Sequence, residues 1–370
     1  VQEDLEGGAL GRVDTDRQSP SSQPKSEYDA GRRWQSPAEE SFIMSESNAA
    51  LDIAVAAKQS RRNALRSYLG AYGFMAPAGV LVMIFFLIPV AIVLYLSLTN
   101  LASSNFTSNL AKMEFVGLKN YETLLNDQFA RKIFFNTIFY VLVTLSLFNV
   151  SLALIVSLLT THIDRSAGFL FRALWILPRI TSPVVYILIW KRMTAEAPFG
   201  IINQLNEFLG YPTYNYLSTN PWVFVVVVNG FIGVSFGMII FTSAIESIPK
   251  DLLNASLVDG SSKMQRIRYV ILPLIRWPLL FVVTYQTLSL LTSFVEIQLL
   301  TDGGPGLYRT EVWSLTAYHR ALSNYFGNAQ WGYGSAFAVL LVMIGVVLAV
   351  IYMRVFRFDE LIAEPRVEAL

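Results

Sequence analysis

The chain has 370 residues, 54% hydrophobic and 15% charged, with a mean hydropathy of +0.46, too apolar for a soluble domain of this length. A net charge of +1 gives no field suited to nucleic acid, and the absence of cysteine removes disulfides, thiolate metal sites and cysteine nucleophiles. The two imidazoles, His162 and His319, form no ligand-spaced pair, and neither G-x-x-x-x-G-K-[ST] nor H-E-x-x-H occurs. No metal site, no cofactor and no enzyme activity are therefore expected of this chain; energy would come from a partner.

Residues 1–70 open the chain with a tail rich in Ser, Glu, Asp, Arg and Gln, which is read as disordered or weakly helical rather than as a domain. Met44 begins MSESNAALDIAVAAKQSRRN, which reads as a start site with residues 1–43 as an upstream extension; native peptides from before Met44 would overturn that expectation. Six apolar runs follow at 73–98, 133–160, 172–191, 220–243, 279–300 and 333–354, each near the ~20 residues a helix needs to cross a bilayer. The predicted fold is thus all-α, a six-helix membrane domain over 71–357, with a short C-terminal tail at 358–370. Lys58, Arg61, Arg62 and Arg66 precede the first run, Arg165 and Arg172 follow the second, and Arg354 and Arg357 end the last. With the basic fourth connection, this bias places both termini in the cytoplasm. The connections FVGLKNYETLLND and GIINQLNEFLGYPTYNYLS on the other side mix aromatics and turn residues in amphipathic patterns; they either contact a partner or cap the bundle.

The fourth connection, 244–278, carries Lys250, Lys263, Arg266, Arg268 and Arg276. Pro249 suits the first turn of a helix, Asp259-Gly260 is a turn pair that ends it, and a second helix restarts near Ser261 toward Leu272. Leu252, Leu253, Ala255 and Ser256 form a small apolar knob for a groove of another protein; an amphipathic loop resting on anionic lipid is the other reading. Within the spans, Gln286, Ser289 and Ser293 share one helical face, and Asn229, Ser235 and Phe236 lie on the fourth run among Gly230, Gly233 and Gly237. Such small and hydroxyl residues either meet a substrate or pack helices together. Arg179 and Glu296 are the charges most nearly inside a span; Arg179 snorkels or meets an anionic substrate. TDGGPG at 301–306 is read as a flexible turn, its glycines serving geometry.

The stretch IPKDLLNASLVDGSSKMQRIRYVILPLIRWP resembles the cytoplasmic signature loop of the permeases of binding-protein-dependent ABC importers, Glu-Ala-Ala, three residues, Gly, then a Leu-Pro return. FVGLKNYETLL, LWILPRITSPVVYILIW, GIINQLNEFLG and EIQLLTDGGPG resemble, in the same order, its carbohydrate-uptake branch, which contains the maltose and glycerol-phosphate permeases. The resemblance, over 72–357, implies a multi-pass protein of the bacterial inner membrane that imports a sugar or sugar derivative. It would pair with a second permease and two cytoplasmic ATPase subunits that hold ATP and Mg²⁺, and receive substrate from an extracytoplasmic binding protein. Lys250, Asp251, Leu252, Leu253, Asn254, Ala255, Ser256, Asp259 and Gly260 would dock on the ATPase. Asn254 stands where the family has Glu, so its hydrogen bond would be neutral and roughly half as strong. Alignment on the shared motifs carries the sugar contacts of the branch onto Ile232, Gly233, Phe236, Gln286, Ser289, Leu290 and Ser293. The rival class is a self-sufficient ion- or proton-coupled transporter, for which Glu296 is the one acidic candidate at depth.

Overall fold

The computed structural model describes residues 58–59, 72–106, 113–323 and 327–356; the expected tails at 1–70 and 358–370 lie almost wholly outside them. Contacts divide the chain into Val1–Val80 and Leu81–Leu370. Of the first unit, Lys58, Gln59 and the exposed helical stretch 72–80 are described. Among the described residues there is no strand beyond a single antiparallel bridge between Thr99 and Phe115.

Four helices run unbroken: α1 (Tyr72–Leu96), which accommodates Pro77 and Pro89 and has a π-helical stretch at Met83–Leu87, α3 (Gln128–His162), α7 (Pro221–Glu246) and α13 (Trp331–Val355), with a short α2 (Lys119–Asn126) after α1 and a short α6 (Ile201–Phe208) before α7. At 35 residues, α3 is about 52 Å long, more than the ~30 Å hydrocarbon core, so it projects beyond the bilayer. It also holds a π-helical stretch at Leu145–Leu152. Asn120 of α2 donates to the carbonyls of Ser97 (2.8 Å) and Thr99 (2.7 Å), and the Tyr121 and Ser97 hydroxyls share a hydrogen bond. The buried side of that first connection therefore seals the exit of α1.

The third and fifth spans are not the straight helices expected. Over the third, α4 (Arg165–Ile180) and α5 (Pro183–Met193) meet at a 99° bend. Pro183 excludes its predecessor from the α region, so Thr181 and Ser182 turn extended (ψ 146° and 135°) and Pro183 starts a new helix at a position where it needs no N–H. Before the fifth run, α9 (Lys263–Leu274) and α10 (Arg276–Thr292) are bent by 71° between Pro273 and Pro278, whose place in the sequence predicts a bend at the return into the membrane. Ser293 then leaves the helix with ψ 131° before a short α11 (Val295–Leu300). Four to six membrane crossings follow from length and composition, six if each bent pair is one span.

The core runs between α3, α5, α7, α10 and α11, around Tyr140, Ile187, Val228, Leu290 and Ile297. Glycines set the closest approach: a Cβ on Gly230 would run into the Phe148 ring and one on Gly233 into the Asn149 carboxamide, so α7 lies flat on the π-helical stretch of α3. At one end of the bundle, Ile245, Ile248, Ile271 and Ile275 form a separate cluster that joins the end of α7 to α9 and the start of α10.

Candidate functional site

Between α7 and α9 the chain forms α8 (Lys250–Val258), led by Pro249 at its N-cap. Its C-terminus is closed by a Schellman motif: Gly260 takes φ +75°, its N–H donates to Leu257 O (3.0 Å), and Ser261 N–H donates to Ser256 O (3.1 Å). The next helix is opened by a reciprocal capping box, with Ser262 N–H on Gln265 Oε1 (2.8 Å) and Gln265 N–H on Ser262 Oγ (3.4 Å). Helix, turn and helix thus stand where Pro249, Asp259-Gly260 and the following serines predict them.

The expected knob is divided between two faces. Leu253 packs into the isoleucine cluster and Ser256 is buried; Leu252, Asn254 and Ala255 point outward with Lys250, Asp251, Asp259 and Gly260. Leu257 and Val258, absent from the expected set, add exposed apolar surface on α8, Val258 at 89%. Because 3.6 residues make a turn, 253 and 256 face the bundle together while 254 and 258 face away.

The seven intramembrane positions also separate. Gln286 is buried and its Nε2 donates to Gly233 O at 2.9 Å, so Gln286 and Gly233 join α10 to α7. Leu290 is buried in the core. Ser289 is exposed, and Ile232 and Phe236 are half-buried. Ser293 does not extend the face of Gln286 and Ser289 as a helical residue; it stands past the end of α10, donates to Glu296 Oε2 (2.8 Å) and accepts from Asn229 (3.4 Å). Tyr186 OH donates to the other Glu296 oxygen at 3.0 Å. Asn229, Ser293, Glu296 and Tyr186 therefore form one polar cluster, assembled from three stretches of chain by the bends at 181–183 and 293–294.

Phe236 stacks on Tyr285 with ring centroids 4.5 Å apart, and the Arg179 guanidinium sits 5.5 Å from the Phe236 centroid. The bend after Ile180 brings Arg179 to this ring, a cation–π contact that neither sequence reading included. Tyr285 was also missed, although it lies one helical turn before Ser289. Aromatic faces, a guanidinium, hydroxyls and a carboxylate thus lie on adjoining elements, a set suited to a ligand with C–H faces and many hydroxyls.

TDGGPG is held rather than free. Thr310 N–H donates to Gly303 O (3.0 Å), Thr310 Oγ1 donates to Gly304 O (2.6 Å), and Arg309 donates to the carbonyls of Ser218 and Thr219. On α12 (Trp313–Ala321), the buried His319 bridges Glu311 (Nδ1, 3.0 Å) and Asp302 (Nε2, 3.0 Å). Burial pulls the His319 imidazole down, but the hydrogen bonds and charges of Glu311 and Asp302 outweigh it and hold the ring above its ordinary value.

Residues 130–359 match the family described as binding-protein-dependent transport system inner membrane component. The trehalose/maltose transport system permease protein MalF of Thermococcus litoralis is 28% identical over 313 residues, covering 83% of this chain and 99% of that protein. The sn-glycerol-3-phosphate transport system permease protein UgpA of Escherichia coli is 28% identical over 298 residues, covering 80% and 96%. Among solved structures, a chain of a bacterial alginate ABC transporter in complex with an alginate pentasaccharide-bound periplasmic protein superposes with a TM-score of 0.67 at 18% identity, covering 79% of this chain and 95% of that one. With its family match spanning more than half of its length, the chain belongs to the inner-membrane components of binding-protein-dependent transport systems.

Proposed function

We propose that the chain is one permease subunit of an ATP-driven importer for a sugar or sugar derivative, with both termini and α8 in the cytoplasm. A second permease completes the path, one of two ATPase subunits holding ATP and Mg²⁺ docks on the outward face of α8, and an extracytoplasmic binding protein delivers the substrate. The observation that carries this reading is mechanical. Through Leu253, α8 is seated in the cluster of Ile245, Ile248, Ile271 and Ile275, and α7 and α10, which leave that cluster, carry Phe236, Tyr285 and Ser289.

Closure of the ATPase pair would push α8, and the isoleucine joint would tilt α7 and α10 together, switching the face around Phe236 between inward and outward exposure. ATP chemistry stays on the partner; this chain transmits force and shapes the path. Mono- and oligosaccharides, polyols and glycerol phosphates all fit the mixed aromatic and polar face.

One observation favours the rival, a proton-coupled transporter: Glu296 is a carboxylate at bundle depth hydrogen bonded to Tyr186 and Ser293. Uptake in cells lacking the ATPase, and in cells with a dissipated proton gradient, separates the two. Loss of uptake in the first and retention in the second is expected; the reverse would replace the importer with the rival.

A further inference from the structure

Among the described residues, Arg179 makes no hydrogen bond and no ion pair. It stands in the last turn of α4, exposed, with its guanidinium 5.5 Å from the centroid of the Phe236 ring. Phe236, Phe281 and Tyr285 form one aromatic patch across α7 and α10, with centroids 4.5 to 6.4 Å apart, and Phe281 and Tyr285 are exposed beside it. Glu246 closes α7 ten residues after Phe236, about 15 Å along the axis, so a guanidinium held over that ring lies at depth and not among the headgroups. By contrast, Arg172 pairs with Glu246 at 2.9 Å, and Arg309 donates to the carbonyls of Ser218 and Thr219. Glu296, the other charge at depth, is no counter-ion for Arg179: it lies beyond salt-bridge reach, and its two oxygens already accept from Tyr186 and Ser293.

We propose that the transported solute is anionic, a sugar or polyol bearing a carboxylate, sulfonate or phosphate, and that Arg179 receives the charged group. The proposal deepens the importer reading and rests on it for the existence of a transported sugar. A charge at bilayer depth is costly, and such residues face a partner or a water-filled path. A cation–π contact with Phe236 answers the charge but satisfies no N–H, which leaves the fork of donors for an oxyanion. Guanidinium suits that task because it binds carboxylate and phosphate oxygens in pairs and is weakly hydrated. The aromatic patch beside it offers a surface to the C–H face of the same solute. A neutral sugar gains the ring contact alone and leaves the cation on the path unanswered.

The test uses cells lacking this chain, restored with the wild type, Arg179→Met or Arg179→Lys, with the native partners left in place. Uptake of isotope-labelled solutes is read as the difference from unrestored cells, in pairs that differ in charge: glucose and glucuronate, glycerol and glycerol 3-phosphate, quinovose and sulfoquinovose. Arg179→Met keeps an apolar stem over Phe236 and removes the charge. The wild type is expected to take up a charged member, with a KM raised about tenfold or more in Arg179→Met, the loss of one charge-assisted hydrogen bond. Arg179→Lys, which keeps the charge without the fork, should show a smaller rise. Chain-dependent uptake of neutral members alone, or of none, overturns the proposal, as does a charged solute whose KM is unchanged in Arg179→Met. So does a pull-down in which Arg179→Met loses the second permease, since an acid of that subunit would then be the partner of Arg179. If Arg179→Met does not reach the membrane, the choice of the wild type within each pair and the KM of Arg179→Lys still decide. The same uptake in cells lacking the ATPase tests the importer reading separately: uptake that persists there removes that reading, while the charge preference stands or falls on its own.

Discussion

At the scale of single residues, the proposed function gives Phe236 and Gln286 opposite roles on neighbouring helices. Phe236→Ala removes a stacked ring from an accessible face and is expected to raise the KM of uptake about tenfold, the worth of one aromatic contact, with the complex still assembled. Gln286→Leu deletes the bond to Gly233 O and is expected to cost about 0.6 kcal/mol, seen as a lower Tm with KM unchanged; a KM shift in Gln286→Leu and none in Phe236→Ala would reverse the assignment. His319 adds a pH dependence. Its folded-state value is raised, so its contribution to holding the 301–311 loop is complete below about 6.5 and is lost as pH rises through the higher folded value. Hydrogen exchange of the loop amides is expected to quicken across that alkaline window, and His319→Gln should exchange fast on both sides of it. The sequence shows that Gln286 is polar and at bilayer depth, but a polar side chain there serves a ligand or a neighbouring carbonyl equally well. Only the distance of Gly233 across the helix pair separates the two.

Elements differ in how openly they are written. The α8 turn is legible because every boundary has its own local chemistry: Pro249, Asp259-Gly260, then Ser262 with Gln265. Gly260→Pro cannot take the φ of +75° or donate to Leu257 O, and is expected to leave ATP hydrolysis in the complex while abolishing uptake; near-normal uptake would refute α8 as a lever. Hydropathy alone sees 172–191 and 279–300 as it sees the straight spans, because a bend of 99° arises from two extended residues before Pro183 and changes no side chain's polarity. The bend at 181–183 places Arg179 over Phe236 and the break at 293–294 places Ser293 beside Glu296, contacts that no side chain's polarity announces; Tyr285, also missed, needs no bend and lies one turn before Ser289. Gly233→Leu tests the α3–α7 contact: its side chain would enter the space of Asn149, and loss of the protein from the membrane fraction is expected, whereas Gly345→Ala, whose Cβ would meet only ordinary van der Waals contacts, should be retained.

For the whole molecule, the lack of native cysteine makes topology directly readable. A single thiol at Ala255 should react with an impermeant maleimide only from the cytoplasmic face and be protected when the ATPase subunits are bound. One at Phe208, 87% exposed, should react only from the opposite face; labelling of both from one side would undo the six-crossing orientation. The joint of four isoleucines beneath α8 has one further consequence. Each β-branched side chain has few χ1 states to give way into, and a close-packed interior hardly compresses. On the proposed coupling, these stiff side chains would carry a stroke from α8 toward the face around Phe236, while a cavity of about 340 Å³ that Ile245, Ile248, Leu253 and Ile271 also line sets how much of it is lost, so that trimming one isoleucine to alanine would widen the gap and shorten the stroke.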